Sequence, residues 1–80
     1  MVIGEAVKLR IEELCRRNAI TLNKLATISG ITQSTLNNIV SRPRQCPTVA
    51  TVKKICDGLD ITIVEFFDCP LFLNLEQEIR

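Results

Sequence analysis

The stretch that decides the fold is "LATISGITQSTLNNI", residues 25–39. Apolar residues recur at helical spacing on both sides of Gly30. A glycine after a helical segment favours the left-handed conformation that ends a helix. Thr32 then stands where a side-chain oxygen can cap the next helix. The pattern therefore predicts two short helices joined by a tight turn, the second running to about Ser41.

The second of these helices has an outer face without charge. With about 100° of rotation per residue, Leu36 and Ile39 share one side, and small amides and hydroxyls occupy the other. Amides donate and accept in one plane, which matches the N6 donor and N7 acceptor of adenine in the DNA major groove. An ordinary exposed polar surface is the alternative. We expect base contacts from the outward residues, which are Gln33, Ser34, Asn37 and Asn38.

Helical spacing continues before this stretch. Val7, Ile11 and Leu14 recur with charged residues between them and predict an amphipathic helix over about residues 5–17. Thr21 is the expected N-cap of the helix that contains Leu25.

Two more helices are predicted after the loop "SRPRQCPT", whose prolines cannot lie in a helix interior. Thr48 opens the fourth helix, and Gly58 is expected to stop it. Thr62 and Glu65 have the spacing of a capping box that starts the fifth. The β-branched run "DITIVEFF" has no second alternating run to pair with, so the predicted fold class is all-α.

Length and composition indicate one small domain. The chain has 80 residues, of which 46% are hydrophobic, and no apolar run approaches the ~18 residues of a membrane span. Its first residues lack the features of a signal peptide. We expect a single cytoplasmic domain over residues 1–80, with its core over about 5–68 and a tail over 69–80.

Charge is distributed unevenly along the chain. Residues 1–54 hold nine Lys/Arg and three Asp/Glu, a net charge of +6, whereas residues 55–80 hold one and six, a net charge of −5. Such asymmetry suits a polyanion-binding face followed by an acidic tail. A solvated surface with uneven charge is the alternative.

The residue types needed for catalysis or metal binding are poorly represented. The chain has no histidine, no Gly-rich phosphate loop and no Ser or Cys beside an evident base, so an enzyme is not expected. Its four cysteines contain no close CxxC pair, so we interpret them as reduced thiols used as small apolar side chains. We expect no metal, no cofactor and no small-molecule ligand. The cysteines are Cys15, Cys46, Cys56 and Cys69.

Six residues across the two central helices and their turn suit a close crossing. Ala26 is small where the helices cross and Gly30 allows the tight turn, and the seam is filled by Leu25, Ile31, Leu36 and Ile39. This pattern resembles the helix-turn-helix motif of the phage repressor and Cro-type regulators, the xenobiotic-response-element (XRE) family. The preceding helix and "PTVATVKKICDGLDITIVEFF" resemble its other helices, so the likeness covers about residues 5–68. It implies a compact five-helix bundle of the lambda-repressor-like DNA-binding type, with a short apolar C-terminal tail.

The sequence departs from the family pattern at several positions. Ser29 replaces an apolar turn residue, and Ile28 is expected to take over part of that packing. Leu22 replaces a glutamine that often contacts phosphate. Cys15 and Val40 stand where the family often has an Arg–Glu ion pair, and losing both partners together is physically coherent.

The resemblance implies a sequence-specific, double-stranded DNA-binding transcriptional regulator, expected to be a repressor, with a recognition helix at about 32–41 in the major groove. A protein–protein interaction module on the same fold, such as an antitoxin-like partner-binding protein, is the alternative. The expected phosphate contacts are Thr21, Asn23, Thr27, Thr32, Ser41, Arg42 and Arg44.

The C-terminal part has more apolar residues than a five-helix domain obviously needs. Because one small module makes few base contacts, specificity normally requires two copies on a two-fold operator. We therefore expect a homodimer that uses the tail, although the same residues could simply cover the domain's own core. The residues concerned are Phe66, Phe67, Leu71, Phe72 and Leu73.

Overall fold

The computed structural model describes residues 1–42 and 44–79. Over these ranges the chain forms five α-helices and a 3-10 turn, without a strand, which confirms the all-α prediction. No helix of the described ranges is long and apolar enough to cross a membrane. The elements are α1 (Ile3–Arg17), α2 (Leu22–Ser29), α3 (Gln33–Ser41), α4 (Val49–Leu59), α5 (Ile63–Phe67) and the 3-10 turn (Pro70–Phe72).

Threonine caps the start of four helices. Each threonine oxygen accepts a hydrogen bond from the backbone N–H three residues later, which satisfies one of the free donors at a helix start. The Thr62 amide in turn donates to the Glu65 carboxylate at 2.9 Å, so the predicted capping box is confirmed. In contrast, α1 begins at Ile3, two residues earlier than expected, without a side-chain cap. The capping residues are Thr21, Thr32, Thr48 and Thr62.

A residue in the left-handed conformation caps α2 and α4 and follows the C-cap of α1: these are Gly30, Asp60 and Ala19, with φ of 70°, 56° and 52°. After Gly30, the Ile31 amide donates to the Ala26 carbonyl at 3.1 Å, which closes the turn between α2 and α3. The expectation that Gly58 stops α4 is wrong, since the helix continues to Leu59 and ends at Asp60.

Gly58 instead permits α4 to cross α2 closely. A Cβ on Gly58 would lie 2.6 Å from the Ser29 Oγ and 3.0 Å from backbone atoms of Ile28. Ser29 itself is buried at this crossing, and Ile28 remains 38% exposed. The expectation that Ile28 takes over part of this packing stays a prediction, and Ser29 itself lies at the crossing.

The core lies between α1, α2, α4 and α5, with α3 packed on its edge. Leu25, Ala26, Leu36 and Ile39 are all at most 5% exposed, so the predicted seam between α2 and α3 is confirmed. The remaining buried hydrophobic residues are Ala6, Val7, Ile11, Leu14, Cys15, Val52, Ile55, Cys56 and Phe66.

Arg10 is a buried charge that sequence patterning did not identify. It is 5% exposed, and its guanidinium donates to the Phe66 carbonyl at 2.7 Å and the Glu65 carbonyl at 2.8 Å. A third bond reaches the Glu13 carboxylate, which also pairs with Arg17. A cation at the end of α5 satisfies carbonyls that lack helical partners, so Arg10 attaches α5 to α1.

The three phenylalanines near the C-terminus pack mostly within their own chain. Phe66 is fully buried, which agrees for this residue with the alternative that the C-terminal apolar residues cover the domain's own core. Its ring, Phe67 and Phe72 form a cluster with centroids 4.8–6.3 Å apart. Phe67, Leu71 and Phe72 are half-buried, whereas Leu73 remains 77% exposed.

Candidate nucleic-acid interface

The outward face of α3 is exposed, and its polar groups are available to bind a ligand. Gln33, Ser34, Asn37 and Asn38 are all exposed, and Leu36 and Ile39 anchor the opposite side in the core. None of these four side chains has a hydrogen-bond partner among residues 1–42 and 44–79. Their donors and acceptors can therefore meet a ligand without first breaking an internal bond.

The expected phosphate contacts on α2 and α3 are also exposed, but their hydroxyls differ in what they can donate. The Thr21 oxygen accepts from the Lys24 amide at 3.1 Å, which leaves its hydroxyl proton free. Thr27 and Ser41 instead donate to the carbonyls of Asn23 and Asn37, at 3.1 and 2.7 Å. Because each hydroxyl has one proton, those two would have to give up a backbone bond before donating to a phosphate.

The Thr32 hydroxyl is intermediate in its ability to donate to a phosphate. Its oxygen caps α3 and is 2.9 Å from the Thr35 hydroxyl, with either oxygen able to donate. One proton of this pair is free, at the helix N-terminus, where unpaired N–H groups also favour an anion.

The loop between α3 and α4 carries the expected arginines. The Arg42 amide donates to Asn38, and the Arg42 carbonyl accepts from Gln45, both at 2.9 Å, which turns the chain back beside α3. Arg42 and Arg44 are both exposed. Arg42 therefore lies at the C-terminal end of α3, and Arg44 follows two residues later in the same loop.

Two polar residues of this surface were missed by sequence reasoning. Thr35 and Gln45 are exposed and line, with Asn38, a cleft of about 280 Å³ between α3 and the start of α4. The sequence gives no separate signal for Thr35, because a threonine three residues after Thr32 can be assigned to the helix cap alone. Gln45 could have been noticed as an amide inside a basic loop.

The four cysteines differ in exposure, and Cys69 is half-buried. Cys15 and Cys56 are buried, as expected for apolar side chains, and burial raises the pKa of both thiols. Cys46 is exposed, so its interpretation as a packed apolar side chain is wrong: it lies in the loop between α3 and α4, outside the core. Partial removal from water, followed by the negative charge of Glu78, raises the pKa of its thiol.

Comparison with known proteins agrees with this geometry. The helix-turn-helix family model matches residues 11–66, well over half of the chain. The chain is 29% identical over 68 residues to the SPbeta prophage-derived uncharacterized HTH-type transcriptional regulator YopS of Bacillus subtilis (strain 168), covering 85% of this chain and 92% of the relative.

A solved structure is similar over nearly the same length. The crystal structure of the prophage Lp1 protein 11 superposes with a TM-score of 0.79 and 36% identity, covering 90% of this chain and 95% of that one. The family match includes the turn at Gly30 and both helices around it. The chain belongs to the XRE-type helix-turn-helix family.

Proposed function

We propose that this protein is a sequence-specific DNA-binding transcriptional regulator whose α3 enters the major groove. The observation that carries the proposal is the exposed, uncharged amide face on the second helix of a helix-turn-helix motif. The related Bacillus subtilis protein, named as an HTH-type transcriptional regulator, also supports it. The role is non-enzymatic and is assigned to the cytoplasm, where DNA is accessible.

Base reading is assigned to Gln33, Ser34 and Asn38, with Asn37 as a weaker contact. Gln33 and Ser34 lie in the first turn of α3, the part of a recognition helix that usually approaches base edges. Asn38 borders the cleft beside Thr35 and can reach the neighbouring base pair. Because planar amides complement adenine, preferred sites should contain A·T pairs where Gln33 and Asn38 contact the DNA.

Phosphate binding is assigned to two places on either side of α3. The first is the start of α2, where Thr21 has a free proton and Asn23 an exposed amide. The second is the loop with Arg42 and Arg44, whose charges release counterions from DNA. The bonds already made by the remaining hydroxyls suggest a smaller contribution from Thr27 and Ser41 than from Thr21 and Thr32.

We further propose a homodimer on a two-fold operator, acting as a repressor by occupying promoter DNA. Leu73 and Val64 are 77% and 76% exposed beside the half-buried Phe72 and Phe67, which leaves apolar surface for a second copy. A dimer doubles the base contacts available to one small module. Sedimentation should show a concentration-dependent dimer that Leu73→Asp weakens; a monomer at all concentrations would exclude this arrangement.

The experiment that tests DNA reading separates base contacts from phosphate contacts. Binding sites are first selected from random duplex DNA, and wild type, Gln33→Ala, Asn38→Ala and Arg44→Ala are then measured on single-base-pair variants at several salt concentrations. Each amide variant should lose about 1–3 kcal/mol on the preferred site and relax the preference at one base pair. Arg44→Ala should weaken all sequences about equally and reduce the salt slope by about one.

Two outcomes would contradict this assignment. Uniform weakening by Gln33→Ala and Asn38→Ala would mean that α3 is not the reading helix. If no variant affected DNA binding, and wild-type affinity were insensitive to salt, the protein-interaction module would be the better explanation.

A further inference from the structure

The residues after the 3-10 turn run back past the N-terminus towards the α3–α4 loop. The Glu76 amide donates to the Met1 carbonyl at 3.1 Å, and the Glu76 carboxylate lies 3.6 Å from the Met1 ammonium group. Two residues later, Glu78 lines a cleft of about 290 Å³ between the start of α1 and that loop. The chain between Leu73 and Ile79 is therefore attached to the domain beside the proposed DNA interface.

Glu78 shares this cleft with Arg44 and Cys46. Partial removal from water raises the pKa of the Cys46 thiol, and the negative charge of Glu78 raises it further. One acidic and one basic side chain therefore line this cleft.

We propose that residues 73–79 form an autoinhibitory strap in which the Glu78 carboxylate competes with a DNA phosphate for Arg44. The proposal rests on the proposed function, since it assumes that Arg44 contacts DNA. In free protein, the Glu78 carboxylate and the Arg44 guanidinium line the same cleft. DNA binding requires the phosphate to replace this carboxylate, or to bind Arg44 against its repulsion.

The expected size of the effect follows from the exposure of both groups. Exposed ion pairs change equilibria by about two- to five-fold, because water and salt screen them. Glu78→Gln should therefore raise DNA affinity by about two- to five-fold at low salt. The gain should shrink towards unity as the Debye length falls to about 3 Å near 1 M salt.

A double-mutant cycle tests whether the effect passes through Arg44. DNA affinity is measured for wild type, Glu78→Gln, Arg44→Ala and the double variant. If Glu78 acts on Arg44, the gain from Glu78→Gln disappears in the Arg44→Ala background. An equal gain in both backgrounds would mean general repulsion between the tail and DNA, and would overturn the strap.

Asp60→Asn is the matched control. It removes one carboxylate at the far end of α4, about 16 Å from its first turn, and asparagine tolerates the left-handed conformation found there. This variant should change DNA affinity much less than Glu78→Gln. An equal gain from Asp60→Asn would indicate a net-charge effect and would overturn the proposal.

A measurement without DNA tests the position of the strap. In a Cys69→Ser background, the reaction of Cys46 with an aromatic disulfide reagent is followed as a function of pH, since Cys15 and Cys56 are buried. Glu78→Gln should lower the pKa of the Cys46 thiol and speed the reaction near neutral pH, and Asp60→Asn should not. An unchanged thiol pKa in Glu78→Gln would overturn the strap.

The outcomes separate this proposal from the one on which it rests. If wild type shows no salt-sensitive DNA binding, both proposals fail. If wild type binds DNA with the expected salt dependence and Glu78→Gln changes nothing at low salt, the strap alone fails.

Discussion

Replacing Gly58 with alanine tests the crossing of α2 and α4 that supports the helix-turn-helix unit. In an exposed helix, a glycine-to-alanine change stabilises by about 1 kcal/mol. At Gly58 the added methyl would lie 2.6 Å from the Ser29 Oγ and 3.0 Å from the carbonyl carbon and oxygen of Ile28. Two of these three atoms belong to the backbone of α2, so a side-chain rotation cannot relieve the overlap.

The expected loss follows from these two opposing terms. Inserting a methyl into a packed site costs about 1–3 kcal/mol, and a backbone neighbour places the cost in the upper half of that range. After the helix-propensity gain, Gly58→Ala should lower the free energy of unfolding by about 1–2 kcal/mol. For a domain of this size, the melting temperature should fall by about 5–15 °C.

Chemical and thermal denaturation of four proteins provide the assay: wild type, Gly58→Ala, Ser29→Ala and the double variant. Ser29→Ala alone should be neutral or slightly stabilising, because the Ser29 hydroxyl is buried without a hydrogen-bond partner among the described residues. The double variant should recover about half of the loss caused by Gly58→Ala, since the 2.6 Å overlap disappears and the backbone overlaps remain.

Gly30→Ala is the control, because Gly30 is needed for its backbone conformation and Gly58 for lack of space. No atom lies within 4 Å of a Cβ built there, but the φ of 70° costs an alanine about 1–2 kcal/mol. Ser29→Ala should not rescue that loss. The close crossing is refuted if Gly58→Ala stabilises the protein as it would in an exposed helix, or if Ser29→Ala leaves its effect unchanged.

Two further predictions concern the network around Arg10. Arg10→Met should lower the free energy of unfolding by about 2–4 kcal/mol, because the carbonyls of Glu65 and Phe66 lose their buried donor. The control Arg17→Met should change the free energy of unfolding by less than about 0.5 kcal/mol. Equal losses for the two variants in denaturant titrations would contradict this prediction. The hydrogen bond from Arg10 lowers the pKa of the Glu13 carboxyl. A lowered folded-state pKa stabilises the protein above the unfolded value of about 4.3. The stability difference between wild type and Glu13→Gln should therefore be largest near neutral pH and shrink below about 4.3; a constant difference down to pH 2 would show that Glu13 does not contribute through its charge.

Local interactions made much of this protein predictable from its sequence. The threonine caps, the left-handed Gly30 and the Thr62–Glu65 capping box each join residues one to five positions apart. Helical periodicity likewise identified the buried side of α3 and left Gln33, Ser34, Asn37 and Asn38 outside. These features can be read from the chain because the partners are close in sequence, and backbone geometry alone brings them together.

Tertiary structure decided the features whose partners are distant along the chain. Arg10 is buried because the end of α5, 55 and 56 residues later, supplies carbonyl acceptors for its guanidinium. In the sequence, Gly58 looks like the residue that ends α4. In the structure, a glycine is needed there because Ser29 lies too close to leave room for a Cβ. Glu78 reaches the cleft of Arg44 only because the tail is attached at Met1. Such pairings depend on how whole helices pack. No local pattern in the sequence indicates which distant group will accept a hydrogen bond from a buried donor, or which residue will lie against a glycine.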